Sequence, residues 1–158
     1  MTTIRPAHSD DADRIAAIWN GIIRATALTF TTEEKQAESL AATIAPARWL
    51  VAERDGAVAG FACYGAFRGG PGYRHTAELS IYLAEARRGA GAGGPLLAAL
   101  EDAARAEDIH VLVAGISSEN PGSIRCFARH GYAETGRLPE VGHKFGRWLD
   151  LVLMQKIL

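Results

Sequence analysis

Apolar residues recur at helical spacing at Ile15, Ile18, Trp19, Ile22 and Ile23, which predicts a helix with one buried face. Ser9 or Asp10 is placed to cap it, Ile4-Arg5-Pro6 before it reads as a short strand, and Asn20 and Thr26 fall near its carboxyl end. Thr31-Thr32-Glu33-Glu34 has the form of a capping box and predicts a second helix, closed by Pro46. Residues 49–53 and 58–64 are apolar runs flanking Asp55-Gly56, the pattern of a β-hairpin. Residues 65–75 carry too much glycine and proline for regular structure and read as a loop holding Arg68, Tyr73, Arg74 and His75.

Strict alternation returns at residues 76–83, putting Glu78, Ser80 and Tyr82 on one face of a strand and Leu79, Ile81 and Leu83 on the other. Leu96, Leu97, Leu100, Ala103 and Ala104 form the next apolar helix face, ending near Glu107, and residues 110–115 form a short apolar strand. Asn120 then caps a helix with Pro121 at its first position, basic residues in its last turn and Gly131 at its end. Residues 132–138 and 148–157 supply two more strands. The order β-α-α-β-β-β-α-β-α-β-β implies an α/β fold, a mixed sheet with helices on both faces.

At 158 residues the chain is expected to form one domain, residues 1–158, long enough to bury a real core. Its 17 basic and 18 acidic residues are interspersed, so a net charge of −1 excludes nucleic acid or an anionic membrane as the main partner and makes any anion site local. No apolar signal-peptide core and no run of eighteen apolar residues is present, which reads as a soluble cytoplasmic protein. The two cysteines, Cys63 and Cys126, lie in apolar surroundings and are expected to be buried free thiols, and the five histidines show no metal-ligand spacing.

The chemistry concentrates between Ala84 and Leu97. Glycines at alternate positions remove side chains that would keep an anion from backbone N–H groups, and the following helix directs its positive end to the same place. Pro95 places the start of that helix close to residues 91–94. Gly89, Gly91 and Gly94 satisfy G-x-G-x-x-G. A dinucleotide fold would nevertheless want those glycines directly after its first strand and an acid ending the next strand, where here residues 110–115 run into Ile116-Ser117-Ser118. A nucleotide P-loop would need Lys-Ser or Lys-Thr after the glycines, and a plain turn before a core helix is the remaining alternative.

Arg88-Gly89-Ala90-Gly91-Ala92-Gly93 resembles the R/Q-x-x-G-x-G/A loop of the GNAT N-acetyltransferases, and residues 120–132 resemble the N-x-x-[SA]-[IL]…GF/GY segment that follows it there. Two further stretches, Tyr73-Arg74-His75-Thr76-Ala77-Glu78 with Ser80-Ile81-Tyr82, and Val141-Gly142-His143-Lys144-Phe145-Gly146-Arg147-Trp148-Leu149-Asp150, look like the phosphinothricin and methionine sulfoximine/sulfone branch. The likeness runs from Ile4 to Gln155. It implies the GNAT fold, a mostly antiparallel sheet of about seven strands with helices on both faces.

It also implies acetyl-CoA as co-substrate and no metal. Acetyl-CoA would lie along Ile81, Tyr82 and Leu83 and in the loop of Arg88, Gly89, Ala90, Gly91, Ala92, Gly93 and Gly94, with Asn120 near the pantetheine arm. Glu78 matches the family's general base, and Arg74, His75 and Thr76 match residues around the amino-acid substrate. Burial in a closed site would raise the pKa of Glu78. Phe127 stands where many GNAT enzymes carry tyrosine and this branch histidine; it has no proton to give the leaving thiolate and is expected to be a core aromatic. The implied reaction is direct acetyl transfer to the α-amine of a small acidic amino-acid analogue in a ternary complex. A peptide terminus or polyamine as acceptor, and a non-catalytic acyl-CoA sensor, are the alternatives. A homodimer is compatible with the likeness.

Overall fold

The computed structural model describes residues 1–158. Its elements are β1 (Thr2–Pro6), α1 (Ala12–Ala25), α2 (Ala37–Thr43), β2 (Trp49–Arg54), β3 (Ala57–Ala66), β4 (Thr76–Leu83), α3 (Gly93–Ala106), β5 (Val111–Ser117), α4 (Pro121–Arg129), β6 (Ala133–Lys144) and β7 (Arg147–Ile157). Seven strands form one sheet in the order β1-β2-β3-β4-β5-β7-β6, with β4–β5 the one parallel pair. The element order is the one expected from the apolar pattern.

Alternation along the strands splits the core in two. On one face Trp49, Val51, Phe61 and Cys63 pack with Ile15, Ile18 and Ile22 of α1 and Leu40 of α2; on the other Leu50, Ala52, Ala62 and Leu79 pack with Leu96, Leu97 and Leu100 of α3 and Phe127 of α4. Each such large side chain contributes roughly 1.5–3 kcal/mol by leaving water. Burial pushes the Cys63 thiol up to about 12, so it is an inert core group. Cys126 differs from expectation, being only partly buried.

Three boundaries depart from the sequence pattern. The helix α1 starts at Ala12 after a 3-10 turn, because the Asp11 carboxylate accepts from the His8 N–H at 2.8 Å and from the Arg5 guanidinium twice at 2.9 Å. The expected capping box at Thr31 does not open a helix. Instead the Asn20 side chain accepts from the Lys35 N–H at 2.6 Å and donates to the Lys35 carbonyl at 2.9 Å, Arg24 pairs with Glu34, and α2 begins only at Ala37. The Glu34 carboxylate that the box would have used is thus taken by Arg24, and the Thr31 hydroxyl accepts from the Glu33 N–H at 3.0 Å in a local turn. Finally, β6 continues past Pro139 to Lys144. As an edge strand it tolerates an irregular register between Leu138 and Gly142, where Glu140 has φ +57° and its N–H donates to the Asp150 carboxylate at 2.8 Å.

Candidate active site

The parallel pairing of β4 with β5 ends at Leu79 opposite Ala114, although β4 runs on to Leu83 and β5 to Ser117. Beyond that point the strands have no mutual register, so the β5-side edge of residues 80–83 has no strand partner and a slot opens beside it. Two adjoining cavities fill this divergence, one of about 240 Å³ and one of about 160 Å³. They share Leu28, Ile81, Tyr82, Asn120, Ser123 and Phe127 as walls.

The larger cavity adds Ile22, Leu83, Arg88, Gly93, Leu97 and Cys126, a mostly apolar channel that ends at the start of α3. There Gly89 and Gly91 adopt φ of +78° and +82°, a left-handed backbone that glycine alone takes without cost, and nothing lies within 4 Å of where their Cβ atoms would be. The helix α3 has no side-chain cap and no acid in its first turn. Its first N–H groups lack intrahelical partners, and the positive end of its dipole faces the loop. An elongated group with an apolar stem and an anionic diphosphate, such as acetyl-CoA, fits this donor set. Of the residues expected to hold it, Ile81, Tyr82, Leu83, Arg88, Gly93 and Asn120 line the channel; Gly89, Ala90 and Gly91 form the exposed loop beside it, Ala92 is buried, and Gly94 packs against the His130 ring.

The smaller cavity contains Glu78, whose carboxylate is exposed to solvent in the free slot. Its Oε1 lies 3.4 Å from where a Cβ on Gly115 would sit, so the carboxylate rests at contact distance over the bare backbone of β5. Tyr82, on the same strand face, packs between Trp19 and Phe61 at centroid distances of 5.5 and 5.6 Å, and burial raises its hydroxyl pKa. Phe127 is the expected core aromatic, meeting Tyr132 edge-on at 5.0 Å while also lining both cavities.

Residues 15–132 match the family model described as Acetyltransferase (GNAT) family. The chain belongs to the GNAT acetyltransferases. It is 41% identical over 158 residues, 97% of this chain and 92% of the relative, to the L-methionine sulfoximine/L-methionine sulfone acetyltransferase of Salmonella typhimurium. It is also 33% identical over 161 residues, 97% of this chain and 94% of the relative, to the phosphinothricin N-acetyltransferase of Streptomyces coelicolor. Among solved structures, yncA of Salmonella typhimurium, determined with its cofactor acetyl-CoA, superposes with a TM-score of 0.94 at 39% identity, covering 99% of this chain and 94% of that one.

In this acetyltransferase the expected substrate residues do not join Glu78. Arg74 and Thr76 line a separate depression with Arg48, Tyr64, Arg68 and Tyr73, which shares no residue with the slot. The Arg74 Nε donates to His75 Nε2 at 3.1 Å, and His75 Nδ1 donates to the Asp108 carbonyl at 2.6 Å. No cation lines the Glu78 cavity. Thr76 and Ala77 at the start of β4 line the outer depression and Glu78 to Tyr82 line the slot, so the two openings lie at successive positions along one strand.

Asn120 spends its carboxamide within α4: Oδ1 accepts from the Ser123 N–H at 3.2 Å and Nδ2 donates to the Ser123 hydroxyl at 2.9 Å. Ser123, which the sequence reading passed over, thus holds the Asn120 carboxamide and itself lines both cavities; its spacing in N-x-x-S was the available signal. Leu28 and Ile22 were also missed and carry no local signal, because only the packing of α1 against the sheet brings them to the slot. The fold has no helix long and apolar enough to cross a membrane.

Proposed function

We propose that this acetyltransferase moves acetyl from acetyl-CoA to the α-amine of a small acidic amino-acid analogue of the methionine sulfone, methionine sulfoximine or phosphinothricin type, by direct attack in a ternary complex. The observation that carries the reading is the shared wall. A cavity suited to the cofactor and a cavity holding a carboxylate meet along Ile81, Tyr82, Asn120, Ser123 and Phe127, so two substrates can be bound side by side. The relatives named for these analogues support the acceptor class.

Bound acetyl-CoA supplies the activated acetyl thioester. Glu78 takes the proton of the acceptor ammonium, directly or through one water, so that a neutral amine attacks. The unpaired N–H groups on residues 80–83 offer hydrogen bonds to the developing oxyanion. The loop of Gly89 and Gly91, Arg88 and the start of α3 hold the diphosphate. Phe127 gives no proton, and a thiol with a pKa near that of cysteine, about 8.5, leaves acceptably without an acid. Release of free coenzyme A, measured with acetyl-CoA and a panel of the three analogues, a polyamine and a peptide amine, tests the assignment. Turnover confined to the polyamine or peptide would move the acceptor to another amine class.

Arg74 is the proposed reader of the acceptor's acid, and for this its exposed side chain has to leave His75 and swing along β4. Arg74→Ala is then expected to raise KM for methionine sulfone or phosphinothricin about tenfold with a smaller effect on acetyl-CoA, and Arg74→Lys to restore part of the loss. Kinetics equal to the wild type would leave Arg74 in the outer depression only. A homodimer also belongs to this reading, supported by Val141, Phe145 and Trp148, which are 55%, 56% and 65% exposed on one hairpin. Sedimentation as a monomer at micromolar concentration would end that part of it.

A further inference from the structure

Leu28 is a wall of both cavities, yet it belongs to no helix or strand and lies in the irregular stretch between α1 and α2. Something other than secondary structure has to hold it. The Lys144 ammonium donates to the carbonyls of Ile23 at 2.6 Å, Thr26 at 2.7 Å and Thr29 at 2.9 Å, so it grips the backbone on both sides of Leu28. Two residues earlier on the same face of β6, Gly142 makes room for Phe30: a Cβ there would lie 2.4 Å from the ring. The carboxyl end of β6 therefore holds residues 23–30 at four points, three polar and one steric.

We infer that Lys144 is a positioning residue for the acceptor, fixing the segment around Leu28 and so the width of the slot that Glu78 serves. This rests on the reading of that slot as the acceptor site.

The choice of lysine is informative. Lys144 is 2% exposed and forms no ion pair, a position where an apolar side chain would be the ordinary filler. Burying a charge there is sustainable only because all three of its donors are used. Their acceptors are ones that need a donor: the Ile23 carbonyl belongs to the last turn of α1, where no intrahelical partner exists, and all three lie at the negative end of the helix dipole. Desolvation pulls the ammonium pKa below the ordinary lysine value. A guanidinium has a planar fork in place of three tetrahedral donors on one atom and would not match this set.

The effect should fall mainly on the acceptor. Acetyl-CoA has the glycine loop and the start of α3 as further anchors, whereas beyond the shared wall the Glu78 cavity has only Glu78 and Ser80 as polar side chains. Lys144→Met keeps the bulk and removes the donors. It is expected to raise acceptor KM about tenfold, with kcat and acetyl-CoA affinity within about threefold, and to speed amide exchange at residues 28–30 at least tenfold. Gly142→Ala leaves the ammonium in place but pushes Phe30, and should shift acceptor KM in the same direction. Lys156→Met, which removes a 2.9 Å bond to Glu101 and a contact with the Tyr132 ring at a residue lining neither cavity, is the control for general loss of stability.

Unchanged exchange in Lys144→Met would overturn the clamp, and faster exchange with unchanged acceptor KM would overturn its role toward substrate. A KM shift equal to that of Lys156→Met would reduce the effect to stability and overturn it too. Should Lys144→Met not fold, unchanged acceptor KM in Gly142→Ala overturns the inference by itself. Wild-type protein that releases no coenzyme A with any amine would instead remove the acceptor assignment of the slot, and the inference with it.

Discussion

Glu78→Gln is expected to lower turnover by about a hundredfold or more, close to 2.7 kcal/mol in the barrier, while acetyl-CoA affinity stays within about twofold. The amide keeps the size and polarity of the side chain and removes its basicity. The effect should therefore appear in kcat and kcat/KM alike, as for an interaction needed only on the way to the transition state. Two features of the structure make the test specific. Glu78 lies in the smaller cavity and not in the cofactor channel, so cofactor binding has no reason to change. Its carboxylate also rests over Gly115, where an added methyl would come within 3.4 Å of Oε1. Gly115→Ala adds a methyl at ordinary contact distance from Oε1, leaves the chemistry of the carboxylate unaltered, and should lower turnover far less than Glu78→Gln. Rates with Glu78→Gln equal to wild type at neutral pH would exclude the carboxylate as base, and a loss that appeared wholly in acetyl-CoA affinity would assign it to binding.

Gly91→Asp is expected to weaken acetyl-CoA binding by at least about a hundredfold in a protein that still folds. Two causes contribute, and they can be separated. A non-glycine residue at φ +82° costs about 1–2 kcal/mol of backbone strain, and a carboxylate beside the loop opposes the diphosphate that the N–H groups and the α3 dipole attract. Folding should survive, since nothing lies within 4 Å of the position of a Cβ and the residue is exposed. Gly91→Asn isolates the charge, because asparagine tolerates the left-handed region and carries none; it should lose about tenfold or less. Calorimetric titration with acetyl-CoA decides the matter. Equal affinities for Gly91→Asp and wild type would mean that the diphosphate binds elsewhere, and equal losses for the two variants would mean that conformation alone matters.

Much of this was legible before any coordinates, for a physical reason. The period-2 pattern of β4, the 3.6-residue pattern of α1 and α3, and the Asn120-Pro121 start of α4 are local signals, and each produced its element at nearly the expected place. The glycine loop was legible for the same reason: left-handed backbone at Gly89 and Gly91, followed directly by a helix start, is encoded within seven residues. The strand position of Glu78 was legible from alternation, and the structure puts it in the smaller cavity; its role as base is the proposal tested above.

What depends on distant partners was not legible. The capping box at Thr31 had the right local form, but Asn20 and Arg24 in α1 claim Lys35 and Glu34, and tertiary hydrogen bonds overrode the local preference. Arg74 stands four residues before Glu78, yet its contact with His75 and the neighbouring depression turns it away from the slot. The slot itself exists because two strands part after Leu79 and Ala114, a divergence that no residue type announces. In sequence Lys144 belongs to the family-like stretch 141–150 and falls between the two last expected strands, with nothing local to mark it as buried. Only the fold, by bringing β6 against carbonyls more than a hundred residues earlier in the chain, makes it a buried ammonium with three partners. Local conformation is fixed by neighbours along the chain and can be read there, whereas the meeting of groups far apart in sequence is decided by packing of the whole.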